Sequence, residues 1–163
     1  MKKRLITGFY ELTVKQLMDN RLWDLPIIEE KENIFNVLNI LGARNHIWII
    51  DNKKNKYLIG VITEHDILTI LAPRDFSPYT FGVPDIRSIQ CDTVQTAQDV
   101  MSTKVISCDP DEKIIDVLKR MKKYQLRRLP VVKNKQIIGE ITLRRLIRKY
   151  YDATQYHPIV KEG

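Results

Sequence analysis

The sequence predicts a mixed α/β protein of the α+β kind, built from two copies of a strand-helix-strand-strand-helix unit. Three observations support this prediction. Amphipathic helical stripes recur 80 residues apart, two short apolar runs separated by a polar turn follow each stripe, and each second run leads into another helical pattern. One unit of about 60 residues closes only a small core. We therefore expect the two units to pack together.

The helical stripe of the first copy begins at Ile34. Its apolar positions are Ile34, Phe35, Val37, Leu38 and Leu41. Apolar runs at 47–50 and 57–62 then flank a turn rich in Asn and Lys, which is typical of two paired strands. The next helix has Ile67, Leu68 and Leu71 on one face.

The second copy repeats this order. Its stripe consists of Ile114, Ile115, Val117, Leu118 and Met121. Apolar runs at 129–132 and 136–141 surround a short polar turn, and the final helix places Leu146, Ile147 and Tyr150 on one face.

A lead-in segment with a methionine precedes each copy. Met18 and Met101 occupy matching positions, and each is followed by an extended piece that ends near Pro26 or Pro110. These patterns place the first repeat at 11–72, a Pro- and Gly-containing linker at 73–96, the second repeat at 97–151 and terminal tails at 1–10 and 152–163.

Composition is typical of a folded intracellular protein. The chain has 163 residues, 44% of them hydrophobic, which argues against overall disorder. Its longest apolar run, 47–50, is far shorter than the roughly 20 residues of a membrane-spanning helix. Glu11 and Lys15 interrupt any signal-peptide core. Cys91 and Cys108 lack partners at metal or disulfide spacing, so we expect no metal site and a cytoplasmic location.

The positive charge is concentrated in one segment. Of the 27 Lys and Arg residues, 12 lie in 119–149 beside a single acid, Glu140, which leaves 15 bases and 19 acids elsewhere. This segment is either a solvated face or a surface for nucleic acid or another polyanion. Its only aromatic residues are Tyr124 and the adjoining Tyr150, so few rings are available to stack on bases.

The ordered motifs resemble a tandem pair of cystathionine-β-synthase (CBS) domains. They are the two methionine lead-ins, the helical stripes, Arg127-Arg128-Leu129-Pro130-Val131-Val132, Gly60-Val61-Ile62-Thr63-Glu64-His65-Asp66 and Gly139-Glu140-Ile141-Thr142. The resemblance covers about 11–151. It implies two repeats related by a pseudo-twofold that form one CBS module, which often dimerises into a disc. It also implies binding of an adenosine-containing ligand between the repeats, without chemistry.

The main ligand site is assigned by this resemblance. Its candidate residues are Val61, Thr63, Asp66, Lys104, Val105, Ile106, Leu126, Arg127 and Arg128. Asp66 matches the ribose-binding aspartate, whose carboxylate can accept hydrogen bonds from two hydroxyls. Thr63 and Asp66 also fit a helix capping box, a purely structural role.

Further contacts follow from the same resemblance. Val105 and Ile106 match the extended piece that covers adenine, although ordinary strand burial also explains them. Arg127 and Arg128 match phosphate-binding positions, which suits the guanidinium fork. Their alternative is a solvated pair at a turn, and Lys104 is a weaker phosphate candidate.

A second cleft departs from the pattern, because Arg145 stands where the first repeat has Asp66. Arginine has no acceptor for ribose hydroxyls, so this cleft is either empty or binds a ligand by charge in another pose. Its candidate walls are Leu22, Trp23, Asn45, His46, Thr142 and Arg145. Trp23 either stacks on a base or is a buried or interface residue, and His46 is a candidate for pH sensing or phosphate contact.

The leading hypothesis is a non-enzymatic regulatory module for AMP, ADP or ATP. No Gly-rich phosphate loop, HExxH or G-x-S-x-G motif indicates catalysis, and no cofactor is required. The expected partners are a second copy in a homodimer and an unidentified effector protein, with no membrane contact. Nucleic-acid binding through 119–149 is the alternative.

Overall fold

A computed structural model describes residues 2–72 and 94–155. The chain divides into two compact units. Unit 1 comprises Met1–Trp23, Ile106–Asn134 and Ile138–Gly163, and unit 2 comprises Asp24–Val105 and Lys135–Ile137. The predicted linker lies almost wholly outside the described residues, as do residues 156–163.

Helices and strands alternate in the predicted order. The helices are α1 (Lys2–Glu11), α2 (Val14–Leu17), α3 (Ile34–Leu41), α4 (Glu64–Leu71), α5 (Ile114–Tyr124) and α6 (Leu143–Gln155). The strands are β1 (Ile27–Glu29), β2 (His46–Ile50), β3 (Leu58–Thr63), β4 (Arg128–Lys133) and β5 (Gln136–Thr142). A 3-10 turn spans Ala97–Asp99. The mixed fold with two strand-helix-strand-strand-helix repeats is confirmed.

Unit 2 contains the sheet of the first repeat. β1 is parallel to β2, and α3 provides the crossover between them that a parallel pair needs. β2 and β3 are antiparallel, with Ile47 opposite Ile62. Beyond β3, Val61 forms an antiparallel bridge with Ser102. The sheet order is therefore β1, β2, β3 and the lead-in of the second repeat.

Unit 1 repeats this arrangement with shorter outer strands. β4 and β5 form a hairpin whose turn residues, Asn134 and Lys135, have positive φ values of 51° and 67°. Cys108 forms a parallel bridge with Val131 on one side. On the other side, Asp19 bridges Glu140. The predicted first strand of this repeat is thus reduced to a single bridge.

The lead-in of each repeat belongs to the unit that holds the other repeat's sheet. Val14 of the first lead-in is fully buried in unit 1, and its N–H donates to the carbonyl of Glu112 at 2.9 Å. Ala97 of the second lead-in is fully buried in unit 2, and its N–H donates to Glu32 at 2.9 Å. Each unit therefore contains the lead-in of one repeat and the sheet of the other.

The buried stripe of α3 is narrower than the sequence pattern predicts. Ile34 and Val37 are buried, whereas Phe35 is 67% exposed, so its placement in the stripe was wrong. One residue along a helix is a rotation of about 100°, which turns Phe35 away from the sheet. In α5 the stripe is confirmed, since Ile114, Val117 and Met121 are all buried.

The N-terminal segment 1–10, predicted to be a tail, forms most of helix α1. Phe9 is 4% exposed in the core of unit 1, and its ring meets Tyr150 of α6 edge-on at 5.4 Å. Its burial makes α1 an integral part of the core. Helix α6 continues to Gln155, so the predicted C-terminal tail begins as helix.

Candidate functional site

The junction of β3 and α4 carries Thr63 and Asp66, the central pair of the main candidate site. β3 ends at Thr63, whose extended backbone places its N–H 2.8 Å from Asp66 Oδ2. The Thr63 hydroxyl also donates to that oxygen, at 3.2 Å. The predicted capping box is confirmed.

Capping leaves part of the Asp66 carboxylate available. Both hydrogen bonds from Thr63 end on Oδ2, and Oδ1 accepts none from the described residues. Asp66 is half-buried. An ionised carboxylate has about four acceptor positions, so Oδ1 can accept a ligand hydroxyl while Oδ2 caps the helix. The structural and ligand-binding roles are therefore compatible.

Two apolar candidates lie together in unit 2. Val61 and Val105 are half-buried and pack on the same cluster, which includes Trp48 and Ile50. Because side chains alternate along a strand, Val61 shares a face of β3 with Thr63. Lys104, next to Val105, is exposed. The candidate residues in unit 2 are thus a carboxylate, a hydroxyl, an apolar surface and an exposed ammonium group.

The remaining candidates of the main site lie in unit 1. Ile106 and Leu126 are half-buried against its core. Arg127 is exposed, and its carbonyl accepts the N–H of Leu143 at 2.7 Å, which places it at the start of α6. Arg128 is half-buried and begins β4. Unit 1 therefore contains two candidate arginines, and the backbone of one of them, Arg127, lies at the start of α6.

Arg145 lies in α6 three residues after Thr142, as Asp66 lies three residues after Thr63 at the start of α4. The N–H of Arg145 donates to Thr142 Oγ1 at 3.3 Å, so Thr142 caps α6. The reciprocal bond is missing because a guanidinium group has no acceptor. Arg145 is exposed.

A polar residue that the sequence analysis did not select lies near Arg145. Hydrogen bonds from the Arg21 guanidinium hold the pKa of Asp19 below its ordinary value, and the charge of Arg145 lowers that pKa further. Asp19 follows Met18 as Ser102 follows Met101, so alignment of the lead-ins was the available signal.

Trp23, a candidate of the second cleft, lies at the surface of unit 1. Its side chain is 82% exposed, which rules out burial within the chain and leaves base stacking and an interface as its predicted roles. The Arg21 guanidinium lies 5.8 Å from its ring centroid, a cation–π arrangement that holds both side chains at the surface. Leu22 beside it is half-buried.

The other two candidates of this cleft lie in unit 2. His46 is buried in β2, and its ring meets that of Trp48 edge-on at 5.0 Å. His46 therefore packs against Trp48. The neighbouring Asn45 is exposed.

Comparison with known proteins identifies the family. The CBS domain model matches residues 14–73 and 97–152, which together make up most of the chain. The chain belongs to the CBS-domain family. Each matched segment contains one copy of the repeated pattern of helices and strands described above.

Solved CBS pairs share the fold. CBSX2 of Arabidopsis thaliana, solved in complex with AMP, has a TM-score of 0.69 at 20% identity, covering 88% of this chain and 98% of that one. The CBS pair of protein MJ0100, solved with 5′-methylthioadenosine and S-adenosyl-L-methionine, has 0.61 at 23% identity, covering 86% and 97%. The CBS domain of a bacterial CNNM/CorC family Mg²⁺ transporter, solved with ATP, has 0.66 at 14% identity, covering 92% and 94%.

Curated relatives match over shorter stretches. Protein YlbB of Bacillus subtilis, which is uncharacterized, is 31% identical over 86 residues, 53% of this chain and 48% of that protein. Homoserine O-acetyltransferase of Methanosphaera stadtmanae is 28% identical over 108 residues, 66% of this chain but 18% of the enzyme. The chain thus spans less than half of each relative.

The basic segment of this CBS pair contains few ion pairs. Arg120 pairs with Glu112 at 2.7 Å and Lys133 with Asp111 at 3.3 Å. Eight exposed cations of unit 1 form no ion pair with any described residue. They are Lys119, Lys122, Lys123, Arg127, Arg144, Arg145, Arg148 and Lys149.

Residues 2–72 and 94–155 contain neither a metal-binding cluster nor a membrane-spanning helix. No cluster of His, Cys, Asp and Glu side chains in this part of the chain is suited to hold a metal ion. No helix there is long and apolar enough to span a bilayer.

Proposed function

We propose that this CBS pair is a non-catalytic regulatory module that binds an adenine nucleotide, AMP, ADP or ATP, at Asp66. One observation carries the proposal. Asp66 caps α4 through Oδ2 and keeps Oδ1 for a ligand, at the residue that matches the family's ribose-binding aspartate. The solved CBS pairs with AMP, ATP and methylthioadenosine support an adenosine ligand.

Each chemical part of the nucleotide has a candidate partner. Asp66 accepts the ribose hydroxyls, since a carboxylate can accept two hydrogen bonds from adjacent hydroxyls. Val61, Val105 and Ile106 are the candidates to cover the adenine ring. Leu126 adds apolar surface.

The phosphate partners come from the basic residues of the same site. Arg127 and Arg128 bind phosphate through their guanidinium forks, with Lys104 as an additional cation. Two arginines favour a phosphate-bearing ligand over S-adenosylmethionine.

The second cleft takes no ribose in this proposal. Arg145 offers donors only, and the Thr142 hydroxyl is engaged by the N–H of Arg145. The module therefore binds one nucleotide per chain. The proposal keeps the repeat bounds of the sequence analysis, 11–72 and 97–151.

Regulation acts through other chains. Ligand binding shifts the population of module conformations, and an effector protein responds to the shift. The module is a homodimer, and its cytoplasmic location is part of the proposal. The dimer interface in this proposal uses exposed apolar side chains of α4 and α6. They are Leu68, Leu71, Ile147 and Tyr150.

Calorimetric titration with AMP, ADP, ATP and S-adenosylmethionine tests the ligand assignment. We expect saturable binding of one nucleotide per chain. Asp66→Ala removes a hydrogen-bonded charge worth about 1.5–3 kcal/mol, so affinity falls at least about tenfold. Arg145→Ala leaves affinity unchanged.

A matched variant separates binding from helix capping. Asp99 caps the 3-10 turn as Asp66 caps α4, accepting from the N–H and hydroxyl of Thr96 at 2.9 and 3.3 Å. Asp99→Ala should cost comparable stability, about 1 kcal/mol, without loss of affinity. Equal losses of affinity in the two variants would refute the role of Asp66.

The eight exposed cations of unit 1 support a second candidate function, polyanion binding. A labelled single-stranded oligonucleotide titrated at several salt concentrations tests it. Counterion release predicts an affinity that falls steeply with salt. An oligonucleotide affinity that does not change with salt concentration, or no binding at low salt, would exclude polyanion binding.

A further inference from the structure

Equivalent helices of the two repeats expose apolar side chains at equivalent positions. On α4, Leu68 is 50% exposed and Leu71 64%. On α6, Ile147 is 60% exposed and Tyr150 38%. Each pair follows the capping threonine of its helix by five and eight residues, so each forms a stripe on one helical face.

The stripe on α6 borders an open groove in unit 1. The groove has a volume of about 210 Å³ and is lined by Phe9, Leu118, Leu146, Ile147 and Tyr150, with neighbouring apolar residues. Small-molecule sites usually measure about 300–1,000 Å³. The groove is therefore better matched to a large side chain of a protein partner.

The two stripes carry opposite charge. Helix α4 has Glu64 and Asp66 and neither Lys nor Arg, a formal charge of −2. Exposed Glu64 lies four residues before Leu68 and seven before Leu71, within the stripe itself.

Helix α6 has four bases and one acid, a formal charge of +3. These residues are Arg144, Arg145, Arg148, Lys149 and Asp152. Arg144 and Arg148 each follow a groove-lining residue by one position, so they flank the apolar stripe.

We infer that the α6 stripe of one chain packs against the α4 stripe of a second copy. The inference rests on the proposed homodimer and adds its orientation. Pairing α6 with α6 would oppose two charges of +3, and pairing α4 with α4 would oppose two of −2. Only the α6–α4 contact buries both apolar stripes with complementary charge. Twofold symmetry forms this contact twice in a dimer.

Site-specific cross-linking tests the orientation. Ile147→Cys and Leu68→Cys are made separately in a Cys91→Ser background, where Cys108 is buried. The two chains, one carrying a mass tag, are co-expressed and treated with a short bismaleimide. We expect cross-linked dimers that contain one chain of each kind. Ile147→Cys paired with Lys53→Cys, on the unit 2 hairpin, is the negative control.

Other outcomes overturn the inference in distinguishable ways. Self-cross-linking of Ile147→Cys alone would show an α6–α6 dimer and leave the proposed homodimer intact. A dimer without cross-links between positions 147 and 68 would use another surface. A monomeric wild-type chain in sedimentation velocity would remove the homodimer itself, while nucleotide titration still tests the Asp66 site.

Charge reversal provides a second measurement that does not depend on cysteine chemistry. We expect Arg148→Glu to weaken dimerisation at least tenfold in sedimentation equilibrium at low salt. Mixing it with a Glu64→Lys chain should restore association in part. An Arg148→Glu chain that dimerises like the wild type would contradict the contact. Both residues are exposed, so both chains should fold.

Discussion

The sulfur of Met101 lies against Gly60, so close that a Cβ on Gly60 would be 2.6 Å from it. The equivalent glycine, Gly139, has a similar neighbourhood. A Cβ there would lie 2.7 Å from the carbonyl oxygen of Asp19 and 3.1 Å from the sulfur of Met18. The absence of a side chain at each glycine allows the lead-in of one repeat to approach the sheet of the other.

Gly139→Ala should destabilise the fold more than Gly60→Ala. At Gly139 the nearest atom is a backbone oxygen held in the Asp19–Glu140 bridge, which cannot easily move. At Gly60 the nearest atom belongs to the flexible Met101 side chain. We expect a loss of about 1–3 kcal/mol for Gly139→Ala, measured by urea unfolding.

Gly8→Ala is the control for these variants. Gly8 lies inside α1, and nothing approaches a Cβ there within 4 Å. Alanine should therefore stabilise the helix by about 0.5–1 kcal/mol. A Gly139→Ala protein as stable as the wild type would contradict the close approach of the lead-in.

Phe9→Ala should lower the free energy of unfolding by about 3–5 kcal/mol, because it leaves a cavity in the core of unit 1. Phe35→Ala removes the same side chain from an exposed position and should change stability by no more than about 0.5 kcal/mol. Thermal and urea unfolding of the two variants compare them directly. Equal effects would mean that α1 is not part of the core.

These two phenylalanines show where sequence patterns lose predictive power. The spacing of Ile34 and Val37 sets a helix and its buried face, and that much was predicted. Whether Phe35 also joins the core depends on neighbours that periodicity does not specify. Segment 1–10 contains Leu5, Ile6, Phe9 and Tyr10, but their pattern does not specify that Phe9 is buried by α5 and α6.

Local and distant features of the candidate site also differed in predictability. The Thr63–Asp66 cap involves residues three apart, so their spacing predicts it directly. The contacts of the lead-ins join segments about 40 to 120 residues apart, and no local pattern encodes them. The exposure of Trp23 likewise depends on the fold around it, although its contact with Arg21, two residues away, is local.

The Glu112–Arg120 ion pair should make stability depend on pH. Two hydrogen bonds from Arg120, at 2.7 and 2.8 Å, hold the pKa of Glu112 below its ordinary value of 4.5. A carboxyl group with a lowered folded-state pKa stabilises the fold above its unfolded pKa and loses that contribution as the pH falls. Glu112→Gln should cost about 1–2 kcal/mol at pH 7 and progressively less below pH 4.5.

The matched control for this pair is an exposed ion pair of the same unit. Glu11 accepts from Lys113 at 2.6 Å, but both side chains are more than half exposed. Glu11→Gln should therefore change stability by no more than about 0.5 kcal/mol. Urea unfolding at several pH values measures both variants. A Glu112→Gln effect that is constant from pH 7 to pH 3 would contradict the assigned linkage.

Cys108 should resist thiol reagents in the folded protein. Burial raises the pKa of its thiol to about 12, and the charge of Glu112 also raises it. At pH 8 the thiolate fraction is then on the order of 10³-fold smaller than in the unfolded chain, where the pKa is about 8.5. In a Cys91→Ser background we expect an aromatic disulfide reagent to label Cys108 only after unfolding in urea. A Lys123→Cys chain in a Cys91→Ser, Cys108→Ser background provides an exposed thiol that should react at once. Rapid labelling of native Cys108 would show that unit 1 opens locally around the Cys108–Val131 bridge.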